Sequence, residues 1–312
     1  TGSNRVNIGA TGSVVRTGSG HINGNEQRNI AAGANVSRTF DIGDATNYTP
    51  VTLNFSAVST PGDVLASVST PDQAQLATSL LNASKSVNRY WTLSNTGTVF
   101  TDYSATMNFV PGDLDGGVNP LNLKMAKYDG TWSYPTLGTV TSTSTQGTGI
   151  TSFSDFTMAE CLTPTIIITN PAIVCAPGPV DLTLAAVTLG SDPGLSYTYW
   201  SDAGATSALP SPNSVTVANT YYIKGTSIAG CSDIQPVTVS FNTFPTPTIT
   251  PAGPTTFCEG ELLYLTASAG VSYLWSTGET TQSILVASTD NYTVAVTGAN
   301  TCSATSAPMV VT

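Results

Sequence analysis

The chain has 312 residues and a formal net charge of −10, with only 9 % charged side chains against 40 % hydrophobic ones. This length suits roughly two to three domains, and the apolar content is too high for a disordered chain. An acidic chain with scattered basic residues has no patch for nucleic acid, and no apolar run approaches the roughly 18 residues of a membrane helix, so we expect neither nucleic-acid binding nor membrane insertion.

The composition favours strands and turns over helices, because Thr, Ser, Gly, Val and Asn dominate while Lys, Glu and Arg are scarce. We therefore predict an all-β fold. An antiparallel β-sandwich is expected in residues 1–162, followed by two small β-modules in residues 163–243 and 244–312. Prolines at 164, 245 and 247 are expected to form extended joints between them.

Residues 1–25 alternate short apolar groups with Gly and Asn turns. The apolar residues in question are Val6, Ile8, Val14 and Val15. Such strands cannot easily close a domain alone, so they indicate either solenoid-like rungs or strands that pair with the open edge of a neighbouring subunit. We expect self-association through this segment; the alternative is that Thr1 marks a cut through a longer chain.

The rest of the first domain shows strand periodicity with one short helical stretch. Alternation over residues 51–55 places Val51, Leu53 and Phe55 on one face of a strand. Residues 71–81 predict a helical turn or two, and a strand is predicted over residues 88–93. Two further predicted strand faces are Ala105, Met107 and Phe109, and Leu121, Leu123 and Met125.

One order of residues, Cys–Trp–Tyr–Cys, occurs twice in the second half of the chain. The two sets are Cys175, Trp200, Tyr221 and Cys231, and Cys258, Trp275, Tyr292 and Cys302. The repetition predicts two copies of one module with bridges Cys175–Cys231 and Cys258–Cys302; free buried thiols are the alternative. Cys161 is then the odd cysteine, either buried or paired outside the chain. Each Tyr precedes its second Cys by ten residues instead of the two of antibody domains, so we expect the bridges near strand ends.

Residues able to carry catalysis are few. The single histidine, His21, lies in a Gly- and Asn-rich turn, and we interpret it as a loop residue. No Gly-x-Ser-x-Gly elbow presents a serine nucleophile. Paired carboxylates could hydrolyse glycosides, but Asp41 with Asp44, and Asp113 with Asp115, lie in Gly-flanked turns where Asp caps backbone amides. We therefore predict that the chain is not an enzyme.

Asp113 and Asp115 are also the candidate metal ligands. Alternating aspartates with glycine at the bend resemble the opening of a calcium loop. Position twelve of an EF-hand counted from Asp113 is Lys124 instead of Glu, which excludes an EF-hand. A looser Ca²⁺ site is the remaining hypothesis, and no other cofactor is expected.

Two aromatic residues are candidates for stacking on sugars. Trp132 and Tyr134 lie in a loop-like stretch, whereas Trp200 and Trp275 occupy equivalent repeat positions and are expected in the cores of their modules. This pair supports an alternative function as the carbohydrate-binding accessory region of a secreted polysaccharide-degrading enzyme.

Several segments resemble the Ig-like repeats of large secreted surface proteins of the Bacteroidota. These are residues 221–234, 275–284 and 291–296, while residues 38–50, 86–91 and 151–156 resemble another part of such proteins. The resemblance implies that the two modules are tandem Ig-like β-sandwich domains. It also implies export, often by the type IX secretion route, and a location at the cell surface or in the medium.

Together these features predict a non-enzymatic extracellular structural or adhesive protein. We expect it to be the subunit or stalk of a surface fibre or filament that assembles by β-strand pairing. Its expected partners are further copies of itself and a glycan or another cell-surface ligand.

Overall fold

A computed structural model describes residues 5–256, 258 and 260–312. Contacts group the chain into two compact units. Unit 1 holds the chain up to Thr165 together with Asp192–Ser196 and Gly225–Asp233, and unit 2 holds Ile166–Ser191, Tyr197–Lys224 and Ile234–Thr312. The division into domains at residues 162 and 243 stays a prediction.

The chain is all-β, as predicted. The helices found among the described residues are short 3₁₀ turns: Leu76–Thr78, Pro111–Asp113, Pro120–Asn122 and Ala185–Val187. None of them is long enough to cross a membrane, which holds for the described part of the chain.

Among the described residues, sixteen strands precede residue 162. In chain order they are β1 Arg5–Ile8, β2 Ile22–Asn23, β3 Asn25–Ile30, β4 Gly33–Phe40, β5 Ile42–Gly43, β6 Val51–Thr60, β7 Gly62–Ser69, β8 Leu81–Ser86, β9 Tyr90–Thr96, β10 Val99–Phe100, β11 Tyr103–Asn108, β12 Lys124–Tyr128, β13 Trp132–Ser133, β14 Thr136–Val140, β15 Ser144–Ile150 and β16 Asp155–Cys161.

Thirteen strands follow. They are β17 Val174–Cys175, β18 Ser196–Trp200, β19 Asn219–Thr226, β20 Ser232–Val239, β21 Phe241–Asn242, β22 Ile249–Pro251, β23 Leu263–Ala267, β24 Ser272–Trp275, β25 Ser283–Val286, β26 Asp290–Tyr292, β27 Val294–Thr297, β28 Ser303–Thr305 and β29 Met309–Val311.

Unit 1 contains two large sheets that share one hydrophobic core, which is a β-sandwich. The eight-stranded sheet has the order β1-β3-β7-β9-β16-β12-β13, with β8 also paired to β16, and the six-stranded sheet has the order β10-β6-β11-β15-β14, with β4 paired to β6. Phe55 of the second sheet and Trp91 and Phe156 of the first belong to the same buried cluster. Burying a side chain of this size contributes roughly 1.5–3 kcal/mol.

The predicted periodicity is largely confirmed in unit 1. Val51, Leu53 and Phe55 are buried on one face of β6, and the helical stretch at residues 71–81 contains only the turn Leu76–Thr78. The prediction for Leu121 was wrong: it lies in a 3₁₀ turn and is 60 % exposed. The cause is local, because the Asn119 side chain accepts a hydrogen bond from the Leu121 amide and starts a turn before β12.

Unit 2 contains smaller sheets around two hydrophobic clusters. β18-β19-β20, β22-β23-β25 and β24-β27-β28 are three-stranded, and β17-β21 and β26-β29 are two-stranded. Trp275 is buried in its cluster as predicted. Trp200 is not: it is half-buried outside the cluster of its own module, with its indole N–H donating to Thr198 Oγ1 at 2.9 Å.

Both predicted disulfides are wrong. The structure joins Cys161 to Cys231 and Cys175 to Cys302, with Cα atoms 5.3 and 5.7 Å apart. Both separations lie within the range that a disulfide spans. Among the described residues Cys258 is unpaired and exposed. Neither Cys175–Cys231 nor Cys258–Cys302 can form beside these bridges, because each sulfur enters one disulfide only.

The cysteines pair with the cysteines that the fold brings close, and not with those that the repeat order predicts. Cys175 stands opposite Asn242 in the β17–β21 ladder, and the Asn242 side chain donates to the Asn300 carbonyl at 3.3 Å, two residues before Cys302. In unit 1, Cys161 ends β16, and Cys231 follows the turn in which Gly230 N donates to Ser227 O. The two disulfides indicate an oxidising compartment.

We expect peptide mapping under non-reducing conditions to recover the linked pairs 161–231 and 175–302. Their sequence separations of 70 and 127 residues correspond to roughly 4–5 kcal/mol each in the chain-entropy treatment of disulfides. Cys175→Ser should therefore lower the unfolding midpoint strongly. Cys258→Ser is the matched control and should leave it unchanged; a linked pair containing Cys258 would contradict this pairing.

Candidate functional site

The N-terminal strand β1 forms one edge of the eight-stranded sheet. It pairs with β3 in parallel, with Val6 opposite Glu26 and Ile8 opposite Arg28. Every other ladder described in the two large sheets is antiparallel. On its outer side β1 meets no further strand in the described part of the chain. Its outward main-chain groups are therefore free to pair with an added strand.

The apolar side chains of β1 are poorly covered. Partners in register share a face of a sheet, so Val6 and Ile8 lie on the same face as buried Glu26 and Arg28. Even so, Val6 is 43 % exposed and Ile8 is only half-buried. The other predicted members of this segment differ from each other, since Val14 is half-buried and Val15 is 83 % exposed. The structure thus brings Val6 and Ile8, but not Val14 and Val15, into a strand.

The segment after β1 is fixed to the sandwich at two points. The Arg16 guanidinium stacks over the Tyr48 ring, 3.4 Å from its centroid. The His21 ring then contacts two backbone carbonyls, with Nε2 2.8 Å from Asp44 O and Nδ1 3.1 Å from Ser19 O. His21 is thereby an anchor of this loop.

A buried ion cluster lies directly beneath, on β3. Glu26 is fully buried, with one carboxylate oxygen 2.6 Å from Arg28 Nε and the other accepting from Asp41 N at 2.5 Å. Arg28 also contacts Asp41 at 2.9 Å, and Tyr48 donates to Asp41 at 2.7 Å. Burial raises the pKa of Glu26, and burial together with the Asp41 carboxylate raises the pKa of Tyr48 to about 12. Asp41 is thus engaged by Arg28 and Tyr48.

Arg89 is fully buried and engages two of the candidate aspartates. Its Nε and Nη2 donate to the two carboxylate oxygens of Asp113 at 2.7 and 2.6 Å, and Nη2 also donates to Asp44 at 2.8 Å. Nη1 donates to Thr49 Oγ1 at 3.2 Å. Burial would raise the pKa of Asp44, but donation from the Thr46 amide and Arg89 outweighs it and lowers the pKa well below the ordinary value. These aspartates neutralise a buried cation.

The two aspartates of the predicted calcium loop have different partners. Asp113 is clamped by Arg89, whereas Asp115 accepts from the Ser86 amide at 2.8 Å and from Asn88 Nδ2 at 2.9 Å. Burial opposes these bonds, yet they lower the pKa of Asp115. No group of three or more acidic, His or Cys side chains able to share a metal ion occurs among the described residues. The Ca²⁺ hypothesis stays a prediction that these contacts do not favour.

Asp115 also takes part in a three-member chain of side chains. Ser86 Oγ lies 2.9 Å from Asp115 Oδ2 and 3.0 Å from Asp72 Oδ2, while Asp72 Oδ1 is buried without a partner. One hydroxyl proton cannot serve two carboxylates. The arrangement is satisfied when Asp72 holds a proton and donates it to Ser86, which donates to Asp115. Burial, and then the Asp115 charge, raise the pKa of Asp72 against the Ser86 hydrogen bond.

The predicted sugar-stacking pair is half-buried. The Trp132 indole N–H donates to Thr78 Oγ1 at 3.0 Å and its ring lies 4.8 Å from that of Tyr128. The Tyr134 hydroxyl accepts from the Leu80 amide at 2.7 Å. Tyr134 borders a small groove of ≈ 190 Å³. Both polar ends are thus used within unit 1, and sugar stacking by this pair stays a prediction.

No protein-family model matches this chain, and a search of curated proteins finds no match.

We expect Arg89→Leu to destabilise the protein by roughly 3–5 kcal/mol, because Asp113 then keeps a buried charge without its partner. Arg89→Leu/Asp113→Leu should cost less than the single change, since it removes both charges. Denaturant unfolding of the two variants measures the difference. Equal losses in both would mean that charge pairing is not what holds this site.

Stability should also depend on pH through Asp72. Its folded pKa lies above the ordinary value of 3.8, so the stability it contributes is complete below that pH and is lost as the pH rises through the folded pKa. Asp72→Asn mimics the protonated acid and should stabilise the protein at pH 7 by roughly 1 kcal/mol, the size of one hydrogen bond. The matched Asp115→Asn change should destabilise it. Thermal unfolding between pH 3 and pH 8 tests both, and a destabilised Asp72→Asn variant at pH 7 would contradict donation from a protonated Asp72 to Ser86.

Proposed function

We propose that this chain is a non-enzymatic structural or adhesive subunit of an extracellular fibre or filament that assembles by pairing of β-strands between copies. Strand β1 is the main support for this proposal. It lies at a sheet edge, contributes no residue to the buried core, and leaves Val6 43 % exposed. An uncovered edge of this kind is a template for pairing with another chain.

The composition of the edge also supports intermolecular pairing. Natural edge strands are commonly blocked by charged side chains or prolines. β1 reads Arg5-Val6-Asn7-Ile8, with one charge at its start and no proline. Its apolar residues alternate, so they would form a continuous apolar row with the side chains of an added strand.

The remaining candidate residues suit a load-bearing scaffold. Arg89 with Asp113, and Arg28 with Asp41, hold separate segments of unit 1 together by ion pairs. The oxidising compartment indicated by the two disulfides agrees with secretion to the cell surface or the medium. Secretion itself is part of the proposal.

We expect the purified chain at high concentration to form filaments visible by electron microscopy. Val6→Lys/Ile8→Lys should abolish them, because two ammonium groups on the apolar row of β1 make strand addition costly. Sedimentation velocity should then show monomers with an unfolding midpoint close to that of the native chain.

Val217→Lys is the matched control. Val217 is 63 % exposed and lies outside the strands, so its substitution introduces an ammonium group of the same kind without touching a sheet edge. Filaments that persist in the β1 variant, or a native chain that stays monomeric at every concentration, would contradict the proposal.

A further inference from the structure

We propose that β1 is exchanged between copies, so that β1 of one copy adds to β3 of a second copy in the same parallel register. Val6 would then lie opposite Glu26, and Ile8 opposite Arg28, across two chains instead of within one. This inference depends on the proposed function and names the strand and the edge through which copies join.

The donor strand can leave its own sandwich with little loss of packing. Arg5, Val6 and Asn7 are exposed, Ile8 is half-buried, and none of them belongs to the buried core. β1 is therefore held mainly by its main-chain ladder to β3. Segments with few buried apolar contacts have the lowest free energy of local opening.

The connection after β1 is suited to a hinge. Gly9 and Gly12 interrupt it, and residues 10–14 line a hollow of ≈ 390 Å³ together with residues of β3 and β4. The chain is fixed again at Arg16, which stacks on Tyr48. Fully extended, residues 9–15 span about 23–25 Å. This reach lets β1 depart while Arg16 and the rest of the sandwich stay in place.

The acceptor edge is rigid by comparison. β3 is held on its other side by five antiparallel pairs to β7, from Glu26 opposite Ala66 to Ile30 opposite Gly62. Glu26 and Ile30 are fully buried, and Arg28 binds both Glu26 and Asp41. The edge that receives β1 therefore keeps its geometry when its own strand has left.

Exchange restores every contact of the intramolecular ladder, which is why domain swapping is an inexpensive route to assembly. The intramolecular arrangement leaves Val6 and Val15 exposed. A neighbouring copy that approaches β3 can cover them in addition, and this extra burial favours the intermolecular arrangement at high local concentration. Because each copy donates at one place and accepts at another, repeated exchange gives an open chain of copies.

Engineered disulfides test the exchange in the full chain. Asn7 and Gln27 are partners in register, and neighbouring strands lie about 4.8 Å apart, within the Cα separation of a disulfide. The variant Asn7→Cys/Gln27→Cys also carries Cys258→Ser to remove the unpaired thiol. After oxidation at high concentration, we expect a ladder of dimers and higher oligomers on a non-reducing gel, with the 7–27 link found between chains. Co-expression of separate Asn7→Cys and Gln27→Cys chains, each with Cys258→Ser, should give a 7–27 linked dimer.

Asn7→Cys/Asn29→Cys is the register control. Residue 29 lies on the same face of β3 as residue 27 but two residues further along the strand, so it should link poorly to residue 7. A 7–27 link found only within single chains would overturn the exchange while filaments, if still seen, keep the proposed function. Absence of any 7–27 link would overturn the β1–β3 pairing itself. Filaments absent from the native chain would instead overturn the proposed function.

Discussion

A fully buried guanidinium links several loops of unit 1. Arg89 precedes β9 and binds Asp113 of a turn before β12, as well as Asp44 and Thr49 of the loop between β5 and β6. An unpaired buried charge costs several kcal/mol, so these loops must be in place for the core beneath them to close. Asp44 and Asp113, two of the candidate aspartates, thereby help to hold these loops by neutralising Arg89.

The contrast between β3 and β1 has consequences for function. β3 is fixed by an ion cluster and an antiparallel neighbour, whereas β1 is attached by main-chain pairing and little else. A sheet with one rigid edge and one loosely held strand is suited to adding strands from outside.

Much of the local structure followed from the sequence. Alternation placed Val51, Leu53 and Phe55 on the core face of β6. Repeat position placed Trp275 correctly in a core but failed for Trp200. The sequence also indicated that the N-terminal segment cannot close a domain alone, because its runs of apolar residues are too short to build a core. The parallel pairing of Val6 with Glu26 could not, since no short-range pattern encodes the partner of a strand across residues 9–24. The hydrogen-bonded chain of Asp72, Ser86 and Asp115 was equally hidden, because its three members come from separate segments.

The sequence by itself determined the strand content and the shortness of the helices found in the described residues, because these depend on composition and on periods of a few residues. It did not determine which cysteines pair. The repeat of Cys175–Cys231 and Cys258–Cys302 predicted bridges within modules, and the fold instead joins Cys161 to Cys231 and Cys175 to Cys302. Disulfides form between sulfurs that the packed chain brings within reach. That proximity, like the position of β1 at an open edge, is a property of the tertiary structure alone.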